Sequence, residues 1–486
     1  MIRSFPESLA PPQSALSDMT SRSSALPPLP GGFLQNLARA LPPGRILEGS
    51  AELESYAWDN TGLRFPPQAV ILAENREEVA TTLKHCSDAS VPVIPRGAGT
   101  GNVGGVLPVQ GGVILSTQRM NTIVEIAAED RLAVVQPGVV NGDLQAALAP
   151  HGLFWPPDPS SSRSCTIGGN IAMCAAGPRA VRHGVTRDWV LGLEAVLADG
   201  RVIHTGGRTS KGVVGYDLTR LLIGSEGTLG VVTEATLKLS PIPRVRRLAR
   251  GLFASVADAT RTVSALMASN IPLCAIEFLD PASLDLLRQD GRVAIPPEGQ
   301  AMLLLEMCGS RSEVEEALQK ARDLIEPFNP LEWRHARSDQ EAAQIWEARY
   351  VLSPILKKLA PRRINEDVVV PVSRLPELIA GLQDISRESG LPIVNFGHAG
   401  NGNIHVNLLV DPKDPQVMAQ VSPALDRVFR LVLDLDGSLS GEHGVGSQKL
   451  PYVAWELDEG VVDLHRQIKK VFDPKGIMNP GKVFPA

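Results

Sequence analysis

The stretch Pro95-Arg-Gly-Ala-Gly-Thr-Gly-Asn-Val-Gly-Gly105 constrains this chain more than any other. Glycine lets a backbone take left-handed angles and close its N–H groups on a ligand. Gly99, Gly101 and Gly104 satisfy the G-x-G-x-x-G spacing of dinucleotide-binding turns. A Rossmann unit also needs a helix directly after the last glycine. Here Gly105-Val-Leu-Pro108 follows, and another glycine pair precedes the next apolar run, Val113–Ser116. The loop is therefore expected between two strands, as a nest of amides around a pyrophosphate, with Thr100 and Asn102 as extra donors. The missing helix argues against an NAD-linked Rossmann enzyme.

Two further glycine-rich elements follow. Pro156-Pro-Asp-Pro-Ser160 leads into Cys165-Thr-Ile-Gly-Gly-Asn170, read as a second open turn, and Gly224-Ser-Glu-Gly-Thr-Leu-Gly230 precedes the strand Val231–Leu239. Their clustering points to one large ligand touched at several places; the bland alternative is a set of tight turns in a strand-rich region. Around them strands alternate with helices. Strands are expected at Ala69–Leu72, Ile123–Ile126 and Ala133–Val135, and helices at Phe33–Leu41, Glu77–Ala89 after Asn75, and Gly142–His151, with Ser50 capping another over Ala51–Tyr56. Beyond Pro241-Ile-Pro-Arg244, a boundary, two β-α-β-like repeats run to Ile325. The fold class is α+β.

With 486 residues the chain has room for two or three domains. No run approaches the roughly 18 apolar residues a bilayer span requires. A net charge of −6 with scattered Lys and Arg argues against a nucleic-acid partner. The five cysteines are odd in number and widely spaced with no C-x-x-C, which argues against a disulfide framework or a cysteine-ligated iron–sulfur cluster and for a reducing, cytoplasmic setting. Residues 1–32, rich in Pro, Ser and Ala, read as a mobile tail without a secretory signal.

Late in the chain, Ile393-Val-Asn-Phe-Gly-His398-Ala-Gly-Asn-Gly-Asn-Ile-His405 sets two strand-like runs around a Gly-Asn-Gly turn. A straight strand places residues seven apart on opposite faces, but a hairpin brings His398 and His405 together. Gly437-Ser-Leu-Ser-Gly-Glu-His-Gly-Val-Gly446 adds Glu442 and His443. Two histidines and a glutamate around an open position are typical ligands of catalytic zinc or a similar divalent ion. Taken singly, each histidine reads more readily as a packed, hydrogen-bonded residue than as a ligand; the combined pattern reverses that.

The motifs P-R-G-x-G-T-G, P-D-P-S, C-T-I-G-G-N and Y-D-L-T-x-L-x-x-G-S-E-G-T-L-G, in this order, resemble the FAD-binding domain of the vanillyl-alcohol-oxidase and p-cresol-methylhydroxylase superfamily over about residues 64–242. Within it, G-H-x-G-x-G-N-x-H and S-G-E-H-G-x-G resemble the FAD-linked D-2-hydroxyacid dehydrogenases. The resemblance implies an FAD-binding domain over 33–242, a ferredoxin-like cap over 243–430 and a C-terminal segment over 431–486 that returns to the flavin domain. It implies pyrophosphate binding by Arg96, Gly97, Ala98, Gly99, Thr100, Gly101 and Asn102. Pro157, Ser160, Thr166, Gly168, Gly169 and Asn170 would line the ribityl chain and ring, Glu226 and Val232 the adenosine end, and Asn479 the flavin region.

The same resemblance makes His398, His405 and Glu442 ligands of a divalent ion (zinc, manganese or iron), His443 the base and Arg349 the group that binds the substrate carboxylate. Asn401 stands where relatives often have Asp, removing a negative charge near the ion. His183, where a tyrosine is common, invites a covalent flavin link, but its position favours FAD held without one. The implied reaction oxidises a small 2-hydroxy acid, glycolate or D-lactate, to the 2-oxo acid. Electrons would pass to a quinone, a cytochrome or an iron–sulfur partner subunit; peripheral membrane association and a homodimer stay open. The alternative is a non-catalytic flavin-binding subunit of a multi-subunit glycolate oxidase.

Overall fold

The computed structural model of the protein describes residues 27–485. Most of the expected mobile tail lies outside the described residues, but Leu29, near its end, packs against the first core.

The first sheet sets the strands Ala69–Leu72, Val113–Ser116 and Val93–Arg96 side by side in parallel, with Ile46–Leu47 antiparallel at one edge. Parallel neighbours need a crossover. The helix Arg76–Ala89 supplies one, and Asn75 caps it by accepting from the Glu78 amide. No helix follows Val93–Arg96: residues 97–112 form the expected loop between strands. Ser50 starts the helix Ser50–Glu54 from within, and Gly49 takes the capping position.

The second sheet has five antiparallel strands, Ile123–Ala127, Leu132–Val135, Val231–Lys238, Val190–Val196 and Val202–Gly206. Burial alternates residue by residue along Val231–Lys238, the pattern of a sheet with one covered face. Gly168 and Gly169 depart from expectation. They belong to the helix Ile167–Met173, capped by Thr166, not to an open turn. A Cβ on Gly168 would lie 2.6 Å from Cβ of Pro137, so this glycine serves close packing of a helix.

The third sheet has seven antiparallel strands in the order Pro330–His335, Val245–Phe253, Ala301–Gly309, Leu273–Leu279, Ile393–His398, Asn403–Val410 and Arg362–Val369. Its first four strands, with helices Val256–Met267 and Arg311–Ile325, follow the β-α-β-β-α-β course of the expected ferredoxin-like unit. Both faces are covered. One core gathers Phe253, Val263, Phe278 and Phe429; the other gathers Leu252, Leu279, Trp346 and Phe396. The alternation that puts Leu279 and Phe396 on this second face puts Glu277 and His398 there too.

Cys274 and Cys308, on neighbouring strands, form a disulfide, a pairing that the argument against a disulfide framework did not anticipate. Cys274 falls at a bulge between Leu273 and Ala275, and strand register brings it to a partner 34 residues away. No helix among the described residues is long and apolar enough to cross a membrane.

Candidate active site

The expected hairpin forms. His398 ends one strand, Ala399–Asn401 makes a single 3₁₀ turn, and Gly402 takes φ 72°, which favours glycine. Phe396 pairs with His405 across the ladder, so the two histidines share a face, and their Nε2 atoms stand 3.4 Å apart. Glu442 brings Oε1 to 3.5 Å from each Nε2. The three donors make a nearly equilateral triangle. For sides of 3.4–3.5 Å, dividing by √3 puts its centre about 2.0 Å from every corner, the length of a zinc–nitrogen bond. His398, His405 and Glu442 therefore fit a divalent ion. Asn401 is exposed at the turn, so the missing acid there leaves the enclosed donors untouched.

Charge is unevenly distributed among these groups. Burial resists ionisation of His398, but Glu277 and Glu442 overcome it and push its pKa up to about 10. Burial, joined by the charges of His398 and His443, drives His405 well below its ordinary value. A cation at the shared centre would favour the neutral, ligating form of both imidazoles.

His443 is held by its backbone and approached at both ring nitrogens. Asp367, directly opposite His405 in the sheet, accepts from the backbone amides of Gly441, Glu442 and His443 at 2.8, 2.5 and 3.1 Å. The wholly buried Lys449 adds a charged bond of 2.7 Å to the same carboxylate. Burial opposes the Asp367 charge, yet His443, Lys449 and these hydrogen bonds hold it well below the usual carboxylate range. Its Oδ1 lies 3.3 Å from His443 Nδ1 without an aligned hydrogen bond. On the other side Asn102 Nδ2 stands 3.2 Å from His443 Nε2. The two ring nitrogens of His443 thus face different neighbours, Asp367 at Nδ1 and the Asn102 amide at Nε2.

Arg349 reaches the site from the helix Asp339–Tyr350, with its guanidinium over the Phe396 ring. It does not stand free, as expected of a carboxylate binder alone: Nε donates to Glu277 at 2.6 Å. Glu277, fully buried, holds His398 Nδ1 with its other oxygen at 2.5 Å. Arg363, Lys357, Ser353 and Asn365 line the same cleft. Burial, with Arg349 nearby, lowers the pKa of Arg363 from its ordinary value.

Glu277 and Asp367 went unassigned at the level of sequence. Each left a trace, Glu277 as the lone acid of the apolar strand Leu273–Leu279 and Asp367 before the run Val368-Val-Val370. Glu306, alone in Ala301–Gly309, is the same kind of signal. It and Asp158 grip Arg179, tying the third sheet to the Pro156–Ser160 segment.

The cleft holds about 290 Å³ and runs along Gly97, Ala98, Gly99, Thr100, Gly101, Asn102, Ser160, Thr166, Gly169 and Asn170 to His405, Glu442 and His443. It continues past Gly97 and Gly169 into a pocket of about 80 Å³ bordered by Arg96, Gly168, Glu226 and Val232. All three glycine-rich elements thus meet one groove. Among the described residues, none of the backbone N–H groups from Gly97 to Asn102 finds a protein acceptor. Such a row of unanswered amides fits a pyrophosphate.

Three residues carried over by resemblance turn their side chains to the protein itself, and a fourth is bound through its backbone carbonyl. Arg96 donates to the carbonyls of Tyr56 and Trp58. Glu226 accepts from the amides of Val445 and Gly446. Asn479 donates to the carbonyls of Gly105 and Glu226, and Pro157 lies off the cleft with its carbonyl bound by Asn141. These groups brace the loops. His183 is wedged edge-on between Phe154 and Trp189, away from the groove, and burial pushes its pKa down to about 4.

Two family descriptions match the chain, FAD binding domain over residues 67–206 and FAD linked oxidases, C-terminal domain, over residues 242–483. The glycolate oxidase subunit GlcD of Bacillus subtilis (strain 168) is 40% identical over 430 residues, 88% of this chain and 92% of that one. A D-lactate dehydrogenase of Archaeoglobus fulgidus is 36% identical over 445 residues, 90% of this chain and 97% of its own length. A crystal structure of p-cresol methylhydroxylase with substrate bound superposes with a TM-score of 0.77 over 98% of each chain; its 19% identity makes this a likeness of fold. The chain belongs to the FAD-linked oxidase family and is an FAD-dependent oxidoreductase.

Proposed function

We propose that the protein oxidises a small 2-hydroxy acid, glycolate or D-lactate, to the 2-oxo acid. The observation that carries this reading is the donor triangle of His398, His405 and Glu442 beside His443, which lines the same cleft. FAD, when bound, supplies the acceptor of two electrons and a proton, and a divalent ion supplies a Lewis acid toward the hydroxyl. His443 Nε2 takes the hydroxyl proton as the Cα hydride departs. Asp367 stabilises the resulting imidazolium from the Nδ1 side. Arg349 and Arg363, with Lys357, supply the positive charge a carboxylate requires.

The electrons then leave to a quinone, a cytochrome or an iron–sulfur partner. The names of the glycolate oxidase and D-lactate dehydrogenase relatives support the substrate class. Purified protein given D- and L-2-hydroxy acids and an artificial electron acceptor tests the proposal. Turnover of glycolate or D-lactate is expected; flavin that no 2-hydroxy acid reduces would point to a non-catalytic flavin-binding subunit.

A further inference from the structure

A 2-hydroxy acid carries its two handles on adjacent carbons, so the groups that receive hydroxyl and carboxylate must keep a fixed separation. In this protein one side chain touches both. Glu277 lies opposite His398 in the antiparallel ladder and has no exposed surface. Its Oε1 receives His398 Nδ1 at 2.5 Å, which leaves Nε2 turned to the triangle's centre. Its Oε2 receives Arg349 Nε at 2.6 Å, which leaves the Nη end of the guanidinium for another anion. Phe396 packs beneath that guanidinium, 4.5 Å from ring centre to Cζ, and closes the remaining freedom.

The carboxylate is anchored on the strand rather than on a loop, and a central strand is the stiffest support the fold offers. Each oxygen of Glu277 is engaged by one partner, Oε1 by His398 and Oε2 by Arg349. An ordinary buried ion pair needs one partner. Here the carboxylate is divided between a proposed ion ligand and a proposed substrate cation.

We propose that Glu277 is a positioning residue that sets the spacing between the divalent-ion site and Arg349, and thereby selects acids whose hydroxyl and carboxylate sit on neighbouring carbons. The inference rests on the ion-site reading above. Glu277 touches no reacting atom; it acts through His398 and Arg349.

The test uses full-length flavin-loaded protein as wild type, Glu277→Gln and Glu277→Asp. Zinc and manganese affinities are measured by competition with a chromogenic chelator, which requires no turnover. Glu277→Gln keeps the shape but offers only one acceptor. Its ion affinity is expected to fall 10- to 100-fold, the usual effect of losing the group that orients a ligating histidine. At saturating ion its KM for the 2-hydroxy acid is expected to rise as well.

Glu277→Asp keeps the charge but is one methylene too short to span both partners. Its preference for 2-hydroxy over 3-hydroxy acids, as a ratio of kcat/KM, is expected to fall on the order of 10- to 100-fold, the scale of an ångström-sized misplacement. A merely structural role would lower stability and flavin content without moving that ratio. If Glu277→Gln fails to fold, Glu277→Asp decides alone. Parental ion affinity, KM and chain-position preference in the folded variants overturn the proposal, whereas a wild type that binds neither ion overturns the ion-site reading itself.

Discussion

The side-chain amide of Asn102, in the first glycine-rich loop, stands 3.2 Å from Nε2 of His443, 341 residues later in the chain. Loop and proposed base are therefore one structure. Asn102→Ala removes a hydrogen bond worth about 0.5–1.5 kcal/mol and leaves the loop amides in place. FAD content should stay near parental, while anaerobic flavin reduction by substrate slows roughly 2- to 10-fold.

Replacing the base itself should cost much more. His443→Asn is expected to retain ion and substrate binding but slow flavin reduction by about 10²–10⁴-fold, the usual effect of losing a general base. Stopped-flow reduction at parental speed would place the proton acceptor elsewhere.

His398→Ala breaks one corner of the donor triangle and should abolish stoichiometric metal in elemental analysis while the protein still purifies yellow. Chelation of the wild type should likewise stop turnover with little change in melting temperature, because each sheet has a large core of its own. Turnover that survives thorough chelation would contradict the ion-site reading.

Asp280 gives a signed dependence of stability on pH. It caps the helix Pro281–Asp290 and also binds Asn395, and burial raises its pKa to about 6. An unfolded aspartate loses its proton near pH 4, so between the two values the folded state binds more protons. The contribution is present below pH 4 and lost as pH rises through 6. Relative to Asp280→Asn, the wild type should lose roughly 2–3 kcal/mol over that window, read from urea midpoints at each pH.

FAD should be released into the supernatant on acid precipitation, since His183 lies outside the groove between Phe154 and Trp189. Yellow colour retained in the pellet would demonstrate a covalent bond.

Local chemistry made some of this readable in advance. Asn75 before Glu78 announces a helix start, Ala69–Leu72 is an uninterrupted apolar run, and the glycines after His398 announce a reversal. What escaped depends on partners remote in sequence. Gly168 reads as a turn until Pro137 is seen against it, and the Cys274–Cys308 pair exists only through strand register. Glu277 is 72 residues from Arg349 and 121 from His398. Its isolation in an apolar strand says that it must have partners, but periodicity cannot name them. Arg96 and Glu226 were legible as positions along the groove, but their side-chain partners were not, because a motif does not reveal which way a side chain points.

The amides of Gly441, Glu442 and His443 converge as such loops do around sulfate or phosphate, but here the guest belongs to the host: the Asp367 carboxylate occupies the receptor permanently. Small inorganic anions find that berth taken. On the proposed reading, discrimination among dissolved acids would be left to side chains, chiefly Arg349 and Arg363. The backbone that presents His443 is closed around a carboxylate of its own chain, so substrate preference could drift without disturbing the proposed base.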